Sequence, residues 1–368
     1  MGIFDRQAGH GCEQVVFCSD PDTSLRAIIA VHSTRLGPAL GGTRFKAYEN
    51  DDDALNDVLR LARGMTYKNA AAGLDLGGGK AVIIGNPKAI RSEALIRTYG
   101  RFVDSLGGRY LTAEDVGTTQ TDMDLIRRET PFVTGVDPLH GGSGDPSEAT
   151  AHGVFSAMTT VVDRVWGEPD LSGRHVVVVG VGKVGGFLVA RLAAAGAKVS
   201  VADINDEAVR AAVAEHGATA VPVDQAHAVQ CDILSPCALG GSLNAQTVPE
   251  LACGAIVGAA NNQLATPDIA DQLERRGIVY APDFVVNAGG VINIAEELAG
   301  YDRSRAFARV ACIAENLRSV FEIAERDSVT SEIAAERLAE RRMQDVGRVS
   351  LIKTRFDRAR SDHSRSER

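Results

Sequence analysis

The sequence predicts an α/β protein of two domains: a Rossmann-type, doubly wound domain in the C-terminal half and a separate α/β domain ahead of it. Three observations carry this. At 368 residues the chain is long for one hydrophobic core and suits two. Short apolar runs of strand type alternate with amphipathic helical stretches in both halves. Finally, Arg174-His-Val-Val-Val-Val179 leads directly into Gly180-Val-Gly-Lys-Val-Gly185, which fits G-x-G-x-x-G and opens a helix.

Composition narrows the partners. Hydrophobic content of 45% with 24% charged residues is that of a soluble globular chain. A net charge of -9 disfavours nucleic acid and anionic membrane as partners. No apolar run reaches membrane-spanning length, and Met1-Gly-Ile-Phe-Asp-Arg lacks a signal-peptide core, so a cytoplasmic location is expected. The six cysteines are too scattered for a disulfide framework, and Cys231 and Cys237 read as small core residues. The eight histidines contain no H-E-x-x-H and no paired spacing, so no metal is expected. Ser143 in Gly-Gly-Ser-Gly-Asp does not complete a nucleophile elbow.

In chain order, Glu13 to Cys18 and Leu25 to Val31 read as strands joined by the turn Ser19-Asp-Pro-Asp-Thr-Ser24. His32 to Arg44, including Gly37-Pro-Ala-Leu-Gly-Gly-Thr-Arg44, reads as a glycine-rich loop. The acids from Glu49 to Asp53 suit a helix N-terminus. Leu55, Val58, Leu59, Ala62 and Met65 then form one stripe of an amphipathic helix. Lys68 falls one turn beyond Met65 at the stripe's margin, and Lys80 stands at the entrance of the apolar run Ala81-Val-Ile-Ile. An ammonium at the edge of an apolar interior requires an anion, a ligand or a lowered pKa. Two such lysines around a glycine-lined pocket suit one to hold a carboxylate and one for proton chemistry. Most lysines are surface residues, however, and this segment alone leaves both readings open. A phosphate loop is excluded, because Leu74 and Ala81 stand where it needs Gly and Ser or Thr.

Leu95 to Leu106 forms a further helix stopped by Gly107-Gly108, and Arg109-Tyr-Leu-Thr is a strand followed by Ala113-Glu-Asp-Val. Glu114 and Asp115 point in different directions, and locally Asp115 reads as a turn or cap residue. Pro131 to Pro146 is rich in Pro, Gly and Asp and is the expected hinge. The expected domains are therefore 1–135 and 136–330, with a cleft between them. Thr150 to Val165 resumes helical spacing. In the fingerprint, Gly180, Gly182 and Gly185 let the backbone approach a pyrophosphate, with Val181, Lys183 and Val184 between them. The next strand, Lys198 to Ala202, ends at Asp203, a partner for ribose hydroxyls; Ile204 and Asn205 follow it rather than arginine, which favours NAD over NADP.

Apolar runs at Cys231–Leu234, Ala255–Val257 and Ile278–Tyr280 continue the parallel sheet, with a helix from Thr266 to Arg276. The loops after them carry Ser235-Pro-Cys237-Ala238, Gly258-Ala-Ala-Asn261-Asn262 and Val286-Asn287-Ala-Gly-Gly290, at the edge where cofactors lie. These asparagines are either turn residues or cofactor contacts. Two helices follow, Arg303 to Arg326 and Ser331 to Arg348, and the Arg- and Ser-rich tail 353–368 reads as disordered.

Taken together, Gly-Pro-Ala-Leu-Gly-Gly-Thr-Arg44, Gly-Met-Thr-Tyr-Lys-Asn69, Gly-Gly-Gly-Lys80, Thr-Ala-Glu-Asp-Val116, the Gly180 fingerprint, Gly-Ala-Ala-Asn-Asn-Gln263 and Tyr-Ala-Pro-Asp-Phe-Val-Val-Asn-Ala-Gly-Gly290 resemble the Glu/Leu/Phe/Val dehydrogenase family over about residues 12–345. The resemblance is strongest to its leucine and valine dehydrogenases. It implies NAD-dependent oxidative deamination of an L-amino acid to a 2-oxo acid and ammonia. By resemblance Lys68 binds the substrate carboxylate, Lys80 is the general base that activates water, and Asp115 assists proton transfer at the amino group. Gly41, Met65 and Asn261 match positions near substrate or nicotinamide, and the cofactor set also takes in Thr150, Cys237, Ala238, Asn261 and Asn287. The side-chain pocket maps to Leu40, Ala113, Val291 and Ile294, all small or aliphatic, which disfavours glutamate and implies leucine, valine and isoleucine as substrates. The resemblance further implies a homo-oligomer, an octamer by family habit, with the helix at about 331–350 completing the first domain. The alternatives are a phenylalanine dehydrogenase of the same family, or a non-catalytic protein that binds NAD or an amino acid.

Overall fold

A computed structural model describes residues 2–238 and 240–347. The tail 353–368 and the last residues of the expected C-terminal helix lie outside this range. By internal contacts the chain divides into two compact units. One comprises the described residues up to Gly144, with Glu297–Tyr301 and the chain from Ala339; the other comprises Asp145–Glu296 and Asp302–Leu338.

The first unit contains α1 (Ile3–Gly9), β1 (Gln14–Asp20), β2 (Leu25–Ser33), β3 (Ala39–Lys46), α2 (Asp51–Ala71), β4 (Gly77–Ile84), α3 (Pro87–Ile90), α4 (Glu93–Asp104), β5 (Tyr110–Glu114) and α5 (Gln120–Arg127). Its sheet runs β1-β2-β4-β3-β5, antiparallel at β1/β2 and β2/β4 and parallel at β4/β3 and β3/β5. Asn50 caps α2 by accepting from the Asp53 N–H, and Asp51, Asp52 and Asp53 fill its first turn, as the acidic run foretold. Ala54, Leu55, Val58, Leu59 and Ala62 of this helix bury against Ile28, Ala30 and Val82. The opposite face of the sheet packs Ile29, Ala81 and Ile83 on Leu95, Ile96, Tyr99 and Met123 from α4 and α5.

The second unit contains α6 (Ser147–Trp166), β6 (His175–Val179), α7 (Lys183–Ala194), β7 (Lys198–Ala202), α8 (Asp206–His216), β8 (Thr219–Ala220), β9 (Cys231–Pro236), β10 (Cys253–Ile256), α9 (Ile269–Arg275), β11 (Val279–Tyr280), α10 (Asp283–Val286), α11 (Gly289–Ala295), α12 (Arg303–Ala311) and α13 (Ile313–Asp327); α14 (Ser331–Asp345) begins here and ends in the first unit. Its six strands are all parallel in the order β8-β7-β6-β9-β10-β11, the order of dinucleotide-binding folds. No helix among the described residues is long and apolar enough to cross a membrane.

Several expectations need correction. The stretch read as a glycine-rich loop is largely β3, at an interior position of its sheet, and Gly77–Gly79 are not a loop but the start of β4, so Lys80 lies inside a strand rather than at its entrance. The cause is close packing. A Cβ on Gly78 would stand 2.0 Å from the backbone N of Thr66, and one on Gly77 1.9 Å from the Ser33 carbonyl oxygen. Gly78 lets α2 lie directly on β4, Gly77 admits the backbone at the end of β2, and Asn69 ties helix to sheet by donating to the carbonyls of Leu40 (3.2 Å) and Gly77 (2.6 Å). Val286 to Gly290 is not a loop either: α10 and α11 flank Asn287. The helix expected from Arg303 to Arg326 breaks at Cys312, where Cys312 N–H bonds Arg309 (3.1 Å) and Glu315 N–H bonds Cys312 (3.0 Å), a tightened three-residue turn among good helix formers. Of the cysteines read as core, Cys231 is buried and Cys237 half-buried.

The packing yields a paired prediction. Gly78→Ala forces a Cβ into the α2 backbone and lowers stability by about 3 kcal/mol. Gly64→Ala, on the exposed side of α2 with nothing within 4 Å, raises it by about 0.5–1 kcal/mol. Thermal melting of both variants checks the opposite signs.

Candidate active site

The register fixes which way Lys80 points. Lys80 pairs with Ala30 and lies two residues before Val82, and both partners belong to the face that α2 covers. By the same alternation Leu40, Gly42, Arg44, Leu111 and Ala113 line this face, through the pairs Leu40↔Gly78, Leu40↔Leu111 and Gly42↔Ala113. Asp115 follows β5 directly. Its Oδ2 lies 2.9 Å from Lys80 Nζ, with the side chains 22% and 7% exposed respectively. Lys80 lies on β4 and Asp115 just past the end of β5, on either side of β3, and Gly42 is what lets them meet: a Cβ there would stand 2.8 Å from the Asp115 Cβ. Glycine in β3 therefore clears the path of the ion pair.

Asp115 is held from a second side. Arg44 Nε donates to the same Oδ2 at 3.3 Å, and Arg44 Nη1 donates to Asp57 Oδ2 at 2.9 Å. Asp57 also accepts from the Tyr48 hydroxyl (2.8 Å) and from Arg60 (3.0 Å). Burial pushes the Asp115 carboxyl up, but Lys80 and Arg44 outweigh it and hold the group below the usual carboxylate range. Thr118 Oγ1 accepts from the Asp115 N–H (2.9 Å) and donates to the Thr43 carbonyl (2.8 Å), fixing the turn. The side chain that reads locally as a turn aspartate is thus the partner of the buried lysine. Lys68 is half-buried on α2, one turn beyond Met65, whose Cγ would lie 3.2 Å from a Cβ on Gly41. Leu40 and Ala113 are buried on the Lys80 face.

In the second unit, Gly180 has φ +101 and backs onto Ala238, while a Cβ on Gly185 would stand 1.9 Å from the Gly180 carbonyl oxygen. Gly182 is the N-cap of α7; no side chain caps this end, and a Cβ on Gly182 meets nothing within 4 Å. Val181 N–H donates to Asp203 Oδ2 (2.7 Å), Lys183 Nζ lies 2.7 Å from Asp145 Oδ2, and Val184 follows in the first turn of α7. Cys237 N–H donates to the Val179 carbonyl (2.7 Å), which seats Cys237 and Ala238 behind the turn; burial pushes the Cys237 thiol up. Asn287 Nδ2 donates to the Ala259 carbonyl (3.1 Å) and to Asn261 Oδ1 (2.9 Å), so the structure brings these two asparagines together. Asn287 Oδ1 is buried with no hydrogen-bond partner, a vacant acceptor of the kind a ligand donor satisfies. Thr150 Oγ1 donates to the Pro146 carbonyl (3.0 Å) at the start of α6, against Gly290. Val291 is buried and Ile294 half-buried, one turn apart on α11. An uncapped helix end, a turn stripped of side chains, an acid at the end of β7 and an orphaned amide oxygen together fit a dinucleotide. No group of three or more His, Cys, Asp or Glu among the described residues could hold a metal ion.

Arg44, Asp57, Tyr48 and Asn69 are the residues sequence reasoning missed, as it missed Gln263, whose Nε2 bonds the carbonyls of Gly258 (2.9 Å) and Ala260 (3.0 Å). Arg44, Asn69 and Gln263 stand inside the motifs that carried the resemblance, which was the available signal.

The geometry sets a pH-dependent stability. Asp115→Asn leaves the buried Lys80 ammonium beside Arg44 without its anion and costs about 2–3 kcal/mol at neutral pH. Because the folded-state pKa of Asp115 is depressed, the parent's advantage holds above the unfolded value of about 3.9 and disappears as pH falls through the lower folded one. Denaturant titrations at pH 8, 5 and 3 check this.

Sequence comparison places the chain among known proteins. Residues 12–132 match the Glu/Leu/Phe/Val dehydrogenase dimerisation domain, and residues 141–208 and 202–336 match the Glutamate/Leucine/Phenylalanine/Valine dehydrogenase domain. The leucine dehydrogenase of Geobacillus stearothermophilus is 52% identical over 346 residues, covering 94% of each chain. The valine dehydrogenase of Streptomyces albus is 51% identical over 343 residues, covering 92% of this chain and 94% of that one. The crystal structure of L-tryptophan dehydrogenase from Nostoc punctiforme superposes with a TM-score of 0.83 at 43% identity, covering 94% of this chain and 99% of that one. The chain belongs to the Glu/Leu/Phe/Val dehydrogenase family.

Proposed function

We propose that the protein catalyses the NAD-dependent oxidative deamination of leucine, valine and isoleucine, taking up water and yielding the 2-oxo acid, ammonia, NADH and a proton. The observation that carries this is the Lys80–Asp115 pair, 2.9 Å apart on the sheet face that also bears aliphatic Leu40 and Ala113. Asp115 stays ionised at working pH and accepts a proton from the substrate amino group. Lys80, as the free amine once its own proton has passed to solvent, takes a proton from the water that adds to the imine carbon, and Asp115 returns its proton as ammonia departs. Lys68 grips the substrate carboxylate, with Gly41 and Met65 shaping the floor beside it. Gly180 to Gly185 with Asp203, Thr150, Cys237, Ala238, Asn261 and Asn287 would hold NAD, which supplies the acceptor for the hydride on the substrate α-carbon. The amide oxygen of Asn287, unpartnered in the protein alone, suits a donor on that ligand.

Recognition of the substrate side chain is assigned to Leu40, Ala113, Val291 and Ile294. None carries a positive charge for a second carboxylate, and aliphatic walls separate neighbouring substrates by only ~1–3 kcal/mol per methylene. The dimerisation-domain profile over residues 12–132 supports a homo-oligomer, with an octamer as the expected size.

Absorbance assays of NADH formation with leucine, valine, isoleucine, phenylalanine, tryptophan, alanine and glutamate test the substrate class; a kcat/KM highest for an aromatic or acidic substrate refutes it. Lys80→Ala is expected to lower kcat ~10²–10⁴-fold with NADH binding intact. Lys68→Ala chiefly raises the KM for leucine, and an unchanged KM rules out the carboxylate role.

A further inference from the structure

We infer that Arg44 is a positioning residue for the reaction: a permanent cation that holds Asp115 in place and ionised, ready to accept the substrate's proton, whatever the protonation state of Lys80. This rests on the role proposed for Asp115 above. Lys80 Nζ and Arg44 Nε converge on one oxygen, Asp115 Oδ2, at 2.9 and 3.3 Å. A lysine that works as a base must pass through its neutral form. Whenever Lys80 is neutral and Asp115 has yet to take the substrate's proton, Asp115 would without Arg44 be a largely buried carboxylate with no cation beside it, and would compete for the proton Lys80 has released. A guanidinium cannot lose its proton, so Arg44 keeps the charge compensated throughout.

The groups around Asp115 are arranged for this. From β3 comes Arg44, and from β4 Lys80. On α2, Asp57 takes the far end of the Arg44 fork and is itself bonded by Arg60, while Tyr48, in the connection after β3, donates to the same Asp57 oxygen as Arg44. Tyr110 of β5, on the other face, turns its hydroxyl to the Gly41 carbonyl (2.7 Å). Were Arg44 merely a tie between β3 and α2, its Nη1 bond to Asp57 would suffice. Its Nε is instead aimed at the oxygen that Lys80 uses. Asp57 and Tyr48 fix the fork so that this aim is kept.

The test compares Arg44→Gln and Arg44→Lys with the parent. Without the cation the Asp115 carboxyl gains a proton at higher pH, so the loss appears on the acid side. For Arg44→Gln, kcat for leucine falls by about tenfold or more while KM changes little, and its ratio to the parent worsens as pH is lowered from 9 toward 5. Arg44→Lys, which keeps the charge but not the fork, recovers most of the loss. A deficit independent of pH and equal in both variants overturns the inference, since that is what a structural tie gives. If Arg44→Gln fails to fold, Asp57→Asn serves: Arg44 is then left to Asp115 alone, and activity persists to lower pH than in the parent. Coincident profiles overturn the inference. Asp115→Asn separates the two levels of the argument. Near-parental turnover there refutes the role of Asp115 and the inference with it. An inactive Asp115→Asn beside a pH-independent Arg44→Gln deficit refutes the part played by Arg44 alone.

Discussion

An ammonium in the middle of a sheet strand is the constraint around which the first unit is built. Lys80 is 7% exposed on its side chain, and taking such a charge out of water costs several kcal/mol unless a partner is supplied in good geometry. The partner is Asp115, just past the end of β5 on the far side of β3, and Gly42 of β3 leaves room for it where a Cβ would stand 2.8 Å from the Asp115 Cβ. The missing side chain at Gly78 likewise lets α2, beyond the apolar contacts of its first turns, come close to β4 at Thr66, between Met65 and Lys68. Glycine thus serves the first unit twice, Gly42 beside the ion pair and Gly78 beneath the helix. Fold and chemistry share one cause, and few substitutions there touch only one of them.

The second unit answers a different need with the same device. Gly180 turns with positive φ, and Gly185 lets α7 approach the turn closely. The helix end they expose carries no side-chain cap, which leaves its N–H groups and its dipole to an anion. Asp203 braces the turn through the Val181 N–H. What the protein leaves unsatisfied is informative too. A buried amide oxygen without a donor, as at Asn287, is a standing cost in the protein alone and a gain once a ligand supplies a donor.

The two halves were not equally legible. Parallel strands buried on both faces read as plain apolar runs, so β6, β7, β9, β10 and β11 and the glycine turn emerged from the sequence nearly in place. The first unit hid β3 and the start of β4, because glycine in a strand looks like a loop until the packed backbone that demands it is seen. Cys312 hid for the opposite reason: a three-residue turn among good helix formers leaves the periodicity intact. Lys80, Asp115 and Lys68 were named through motifs, whereas the role of Arg44 was out of reach. Its partners lie 13 and 71 residues away, and only the parallel pairing of β3 with β5 brings the second of them near.

The division of labour between polar and apolar residues explains why substrate breadth is expected of this arrangement. In the proposed reaction the charged groups Lys68, Lys80 and Asp115 are assigned to the part every amino acid shares, its carboxylate and amino nitrogen. In that proposal the variable side chain is left to aliphatic residues, Leu40 and Ala113 in the first unit and Val291 and Ile294 in the second, none of which offers a side-chain hydrogen bond. A polar lining could reject an analogue by orders of magnitude, because a buried group left unpaired is expensive. An aliphatic lining loses only the contact area of the missing methylenes. The buried β3 and β5 positions of Leu40 and Ala113 add rigidity, so that walls which cannot discriminate by charge still set an upper bound by volume. On the proposed assignment, discrimination is steep against larger side chains and shallow against smaller ones.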